Sequence, residues 1–221
     1  MIKLVIFDLD GTLVNTIDDL AMATNYAIAK LGFPKHELKE YPFFVGNGIT
    51  LLIERALPQT DRNEETIKQA KSIFLEYYQE HKTDASKPYK GMTKLLETLQ
   101  NNKISIAVAS NKYQQGCSEI IAKLFPNIKF CSVLGQREGI NTKPDITIIN
   151  DTLKICPVEK NEVLYIGDSG VDMQTANNAN IFSIGVSWGF RPISELIKNG
   201  AKKIVSTPQE ILDEIKSRIK Q

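Results

Sequence analysis

The residues able to do chemistry gather at the ends of apolar runs. Asp8 and Asp10 stand two apart just after Leu4-Val5-Ile6-Phe7, and residues two apart in a strand share a face. Alone, Asp10-Gly11-Thr12 reads equally well as an ordinary turn, because glycine is free of the usual backbone restriction. The arrangement recurs, however. Ser110-Asn111-Lys112 follows the run Ile104–Ala109, Gly167-Asp168-Ser169-Gly170-Val171-Asp172 follows Val163–Ile166, and Lys143 precedes Pro144 at the mouth of a helical pattern. Four carboxylates brought to one edge would repel one another unless a cation sat among them. An oxygen-only donor set lacking His and Cys selects Mg²⁺ over zinc. A hard cation, a lysine, and hydroxyl and amide donors together suit a phosphate.

These residues converge only if the runs are neighbouring strands. Leu4–Phe7, Ile104–Ala109, Val163–Ile166, Ile181–Ile184 and the weaker Ile204-Val205 are continuous apolar runs that read as buried strands. Helical patterns separate them over about Thr93 to Asn101, Gln114 to Leu124, Ile146 to Leu153, Met173 to Asn178 and Gln209 to Ile219. Strands alternating with helices predict an α/β fold, a Rossmann-like parallel sheet with helices on both faces and its ligand site outside the carboxyl ends of the strands. Residues 17–88 break the rhythm with helices near Asp18–Leu31, Ile49–Leu57 and Glu64–His81. This stretch of roughly 70 residues reads as an inserted α-helical domain hinged near Thr16 and Ser86-Lys87-Pro88, with 1–16 and 89–221 forming the core.

Composition bounds the partners. The 221 residues carry 27 Lys+Arg and 26 Asp+Glu, a net charge of +1, which gives no footing for nucleic acid or an anionic membrane. The content of 42% hydrophobic and 24% charged residues is that of a globular chain, not a disordered one. Cys117, Cys131 and Cys156 form no metal-binding pattern; their odd number fits a reducing compartment and argues against a disulfide framework. No apolar run reaches the ~20 residues of a membrane span. A cytoplasmic enzyme, monomeric or homodimeric, is expected.

The motifs resemble a known family. Phe7-Asp8-Leu9-Asp10-Gly11-Thr12-Leu13-Val14-Asn15-Thr16, Ser110-Asn111-Lys112, Lys143-Pro144 and Gly167–Ala176 are similar, in order, to the four motifs of the haloacid dehalogenase superfamily. Val45-Gly46-Asn47-Gly48 with Leu51–Leu57, and Val186–Arg191, resemble its phosphoglycolate phosphatase branch, whose insertion is a helical cap. Two positions depart: Ile146 replaces the second proline of Lys-Pro-x-Pro, and Pro88-Tyr89-Lys90-Gly91 replaces Pro-Tyr-Pro-Gly. Both touch helix starts or hinge stiffness and leave the reaction class intact.

The resemblance implies a Mg²⁺-dependent phosphatase acting on a small phosphomonoester such as 2-phosphoglycolate. Asp8 would be the nucleophile that forms an aspartyl-phosphate, and Asp10 the general acid and then base. The metal would be held by Asp8, Asp168 and the backbone carbonyl of Asp10, with Asp172 supporting that shell and orienting Lys143. Ser110, Asn111 and Lys143 would bind phosphoryl oxygens. Thr16, Gly46 and Asn47 are candidate substrate contacts from the hinge and cap, although Gly46-Asn47-Gly48 serves equally as a plain turn. Arg55 and Arg191 suit either a substrate carboxylate or solvent. A carboxylate at Asp10 points away from dehalogenases, and Leu20, where capped mutases place a His, points away from a mutase.

Relatives with the same core hydrolyse pyrophosphate, nucleotides or sugar phosphates, so these remain alternatives. A receiver-like module that binds phosphate without turnover is the alternative from another class; it needs neither Asp10 nor a large cap. Gly185-Val186-Ser187-Trp188-Gly189 matches a serine-hydrolase elbow, but Pro192 follows closely and both histidines, His36 and His81, lie upstream.

Overall fold

The structure, a computed structural model, describes residues 1–218. Its strands are β1 (Leu4–Phe7), β2 (Val14–Asn15), β3 (Lys87–Pro88), β4 (Ser105–Tyr113), β5 (Ser132–Gln136), β6 (Val163–Gly167), β7 (Phe182–Val186) and β8 (Lys203–Val205). Helices α1 to α4 span Ile17–Lys30, Tyr41–Phe44, Ile49–Ala56 and Glu64–His81, and α5 to α7 span Met92–Asn101, Gln114–Leu124 and Thr147–Ile155. Gly170–Asn178, Ile193–Lys198 and Pro208–Ser217 form α8, α9 and α10. The expected end of the last helix, Ile219, lies outside the described residues.

Six strands make one parallel sheet in the order β5-β4-β1-β6-β7-β8. The apolar runs are continuous because both faces of the sheet are covered. Val5 and Phe7 of β1 pack with Leu96 of α5, Ile120 of α6 and Ile211 of α10. Leu4 and Ile6 point the other way, against Ile149 of α7 and Ala176 of α8. β1 lies in the middle of the sheet, so Asp8 emerges with β4 on one side and β6 on the other.

Helices α1 to α4 bury a separate cluster that includes Leu20, Ile53, Phe74 and Tyr78. Their connections to the sheet pair as an antiparallel ribbon, Val14 opposite Pro88 and Asn15 opposite Lys87. Asp19 secures the return: its carboxylate accepts hydrogen bonds from Ala85 N at 2.9 Å, Ser86 N at 2.8 Å and Ser86 Oγ at 2.5 Å.

Several features differ from the sequence reading. β4 runs on through Ser110-Asn111-Lys112 to Tyr113, with a register irregularity after Ala109. β5 was not expected, because an edge strand that short, with Ser132 and Gly135, has no long apolar run. α8 starts at Gly170, not Met173, because Ser169 and Asp172 form a capping box. Cys131 and Cys156 are disulfide-bonded, with Cα atoms 6.2 Å apart, and Cys117 is free and buried. The disulfide corrects the expectation of unpaired cysteines: an odd count says nothing about which two sulfurs the fold brings together. Among the described residues, no helix is long and apolar enough to cross a membrane.

Candidate active site

Asp8 directly follows β1, and its backbone N–H donates to Ile166 O at 2.9 Å, extending the ladder by one residue. The chain then turns sharply. Gly11 has φ +82°, and a Cβ there would fall 2.2 Å from Asp168 Oδ2, so both conformation and space demand glycine. That close approach brings the β1 and β6 ends together.

Three of the four expected carboxylates converge. Oxygen atoms of Asp8, Asp168 and Asp172 lie within 4.8 Å of one another, and all three residues are buried. Lys143 Nζ stands 3.0 Å from Asp8 Oδ1 and 2.7 Å from Asp172 Oδ1. It also donates to Ala109 O at 3.0 Å and Tyr165 Oη at 3.1 Å. Asp172 Oδ2 accepts from Ser169 N and Oγ, so both its oxygens are engaged inside the protein. Asp168 accepts from Phe190 N at 2.7 Å and Thr12 Oγ1 at 3.3 Å.

Asp8 Oδ1, by contrast, is buried and receives no aligned hydrogen bond; its 3.0 Å approach to Lys143 is an ion pair only. Burial, reinforced by Asp172, raises the Asp8 carboxyl from its ordinary range to about 7 against the pull of Lys143. Asp168 is held well above its ordinary range by burial and by the charges of Asp172 and Asp8. For Lys143, burial opposes the charge, but Asp172 and Asp8 outweigh it and keep the ammonium protonated. A buried carboxylate with a second crowded carboxylate beside it suits a hard divalent cation with oxygen ligands.

Asp10 faces a different set. Its Oδ1 accepts from Thr16 Oγ1 at 2.7 Å, and Lys112 Nζ donates to Oδ1 and Oδ2 at 3.1 and 3.2 Å. The Tyr78 ring, from α4, lies 4.9 Å from that ammonium. Lys112 was not among the expected site residues. Its sequence signal is its place as the third residue of the Ser110-Asn111-Lys112 motif, and Tyr78 gives none.

The other candidates separate. Ser110 is buried beside the carboxylates and its Oγ accepts from Lys112 N at 3.3 Å. Asn111 donates to Gly46 O at 3.2 Å and bonds the Lys143 backbone in both directions. Gly46 lines the cavity above Asp8, whereas the Asn47 side chain accepts from Arg55 Nη2 at 2.9 Å. Arg55 also donates to Phe44 O, and Arg191 to Val45 O at 3.0 Å. Both arginines therefore shape the 43–48 loop and neither lines the cavity. That cavity is closed down to about 30 Å³ by Leu20, Ile49 and Leu52.

A family profile for haloacid dehalogenase-like hydrolases matches residues 5–186. A phosphoglycolate phosphatase of Vibrio parahaemolyticus is 30% identical over 217 residues, covering 96% of this chain and 95% of that one. One from Haemophilus influenzae is 33% identical over 202 residues, covering 87% and 90%. A crystal structure from Lactobacillus delbrueckii, provisionally named a phosphoglycolate phosphatase, superposes with a TM-score of 0.91 at 30% identity, covering 96% and 98%.

Proposed function

The chain belongs to the haloacid dehalogenase-like hydrolases, and we propose from this that it is a Mg²⁺-dependent phosphatase of a small phosphomonoester, 2-phosphoglycolate being the first candidate. The observation that carries the reading is Asp8: a buried carboxylate at the head of the central strand, held at Oδ1 by the Lys143 ammonium at 3.0 Å and with Asp168 beside it. A nucleophile needs such a carboxylate, and a passive anion site would have no use for one in that position.

In this reading Asp8 attacks phosphorus in line with the ester oxygen, forming an aspartyl-phosphate as the P–O bond to the alcohol breaks. Asp10, protonated at the start, gives the departing alkoxide its proton, then takes one from the water that attacks the phosphoaspartate, releasing orthophosphate and restoring the Asp8 carboxylate and the Asp10 carboxylic acid. Thr16 and Lys112 fix the orientation of Asp10. Lys143 and Ser110 hold phosphoryl oxygens, where charge is spread in the transition state. Asp172 holds Lys143 in place. Mg²⁺ bound by Asp8, Asp168 and the Asp10 carbonyl would supply charge neutralisation at the phosphoryl group. Residues 17–88 act as the cap that excludes water from the reaction.

Phosphate release from a panel of phosphomonoesters and pyrophosphate, with Mg²⁺ or EDTA, tests this. Turnover is expected with Mg²⁺ only, and Asp8→Asn should abolish it. Undiminished activity in Asp8→Asn would overturn the nucleophile assignment.

A further inference from the structure

One contact crosses from the insert to the groups around Asp10. Among the described residues, Tyr78 is the only aromatic side chain of the insert that lies over a cation of the core, its ring centre 4.9 Å from Lys112 Nζ. Tyr78 is fully buried, Phe74 stacks against it at 5.1 Å, and its hydroxyl makes no hydrogen bond, so what it offers is the ring face. The Lys112 side chain is 2% exposed, and its ammonium spans both Asp10 oxygens. Burial opposes that charge; Asp10, and then Tyr78, sustain it. The seating of α4 has its own ties beside this ring, since Gln79 and Lys82 bind Glu119 of α6 at 3.3 and 2.5 Å.

We propose that Tyr78 is a positioning residue for proton donation to the leaving group: from the insert it holds Lys112, and Lys112 in turn holds the orientation of Asp10. This goes beyond a shield against water as the task of residues 17–88, and it rests on the reading of Asp10 as the general acid. A packing role alone would be met by any apolar side chain of similar size. What an aliphatic side chain cannot supply is a negative ring face for an ammonium shut off from water. Lysine is a compact charge on a flexible four-carbon stem, so acceptors on one side leave it able to pivot, and the ring closes another side. The acid is then correctly aimed only while α4 sits against the end of β4.

The test compares kcat/KM for 2-phosphoglycolate, whose basic alkoxide needs a proton to depart, and p-nitrophenyl phosphate, whose nitrophenolate leaves without one, with Mg²⁺ present. This constant covers steps through departure of the alcohol, so the later use of Asp10 as a base does not enter. Tyr78→Leu and Tyr78→Met should lower the value for 2-phosphoglycolate about 10-fold relative to p-nitrophenyl phosphate, part of the ~10²–10⁴ that a placed general acid contributes. Tyr78→Phe, which keeps the ring, should restore the wild-type ratio. A role in packing alone would lower both esters together and leave the ratio where it was. An unchanged ratio in the aliphatic variants therefore overturns the assignment, as does a loss in Tyr78→Phe equal to that in Tyr78→Leu. Failure of both aliphatic variants to fold would give the ring to stability and overturn it too. An unchanged ratio in Asp10→Asn would instead remove the general-acid reading, and hydrolysis of neither ester by wild type the phosphatase reading, each taking this assignment with it.

Discussion

Asn111 holds Lys143 through its backbone and not through its charge: Lys143 N donates to Asn111 Oδ1 at 2.8 Å, and Asn111 Nδ2 returns to Lys143 O at 3.3 Å. The same amide donates to Gly46 O in the helical insert at 3.2 Å. One side chain thus links the phosphate-side lysine to the loop that closes the cavity. Asn111→Ala should destabilise the fold by about 1–3 kcal/mol, the cost of leaving a buried backbone donor unpaired. It should also raise KM, because the loop loses its tie to the core. Denaturant midpoints together with steady-state kinetics check both; normal stability and normal KM would remove the linkage.

Lys143 is the cation on which the carboxylate cluster depends in the absence of a metal. Lys143→Met leaves Asp8 and Asp172 buried without their counter-charge, and removal of one partner from a buried pair costs about 3–5 kcal/mol. Urea denaturation in EDTA should show that loss, and Mg²⁺ should recover part of it by supplying positive charge to the same oxygens.

The raised Asp8 and Asp168 carboxyls give stability a definite pH slope. Both bind protons more tightly in the folded than the unfolded chain, so the metal-free protein gains stability as pH falls below about 7 and loses it as pH rises through that value. Thermal melts in EDTA should therefore run lower at pH 8 than at pH 6. Added Mg²⁺ should raise the melting temperature more at pH 8, since binding requires the ionised carboxylates. A flat profile in EDTA would contradict this account of the cluster.

Asp19 carries no expected role in the chemistry, yet it is fully buried and accepts three hydrogen bonds from Ala85 and Ser86. Asp19→Ala should cost about 3 kcal/mol by orphaning two backbone donors and a hydroxyl. Amide exchange should quicken first at residues 85–86, which marks the hinge as the place where the loss is felt.

The parts of the site readable in the sequence are those whose positions the strands dictate. Asp8 and Asp168 are fixed by where β1 and β6 end and Asp172 by the start of α8 just beyond, so a parallel sheet with those runs adjacent brings them together. Lys143 was found from its motif, but only the fold shows it between Asp8 and Asp172. What stayed hidden depends on contacts far apart in the chain. Tyr78 reaches Lys112 because α4 packs back over the end of β4, and no local pattern encodes that. Arg55 and Arg191 look alike as isolated charges; which carbonyls they bind is decided by the path of the 43–48 loop. The six-residue α9 and the edge strand β5 are too short for periodicity to register.

The ribbon of β2 and β3 sets Asn15 directly opposite Lys87, so the chain leaves the sheet and comes back at neighbouring backbone positions. Everything between those two points could be exchanged for another segment with ends a few ångströms apart, roughly the 4.5–5.5 Å spacing of paired strands, without moving a residue of the sheet. The nucleophile, the lysine beside it and the β6 carboxylates lie outside that segment, whereas the cavity's aliphatic wall lies within it, joined to the core at two crossings. Thr16, at the first crossing, is one point where an exchange would reach the general acid, through its bond to Asp10.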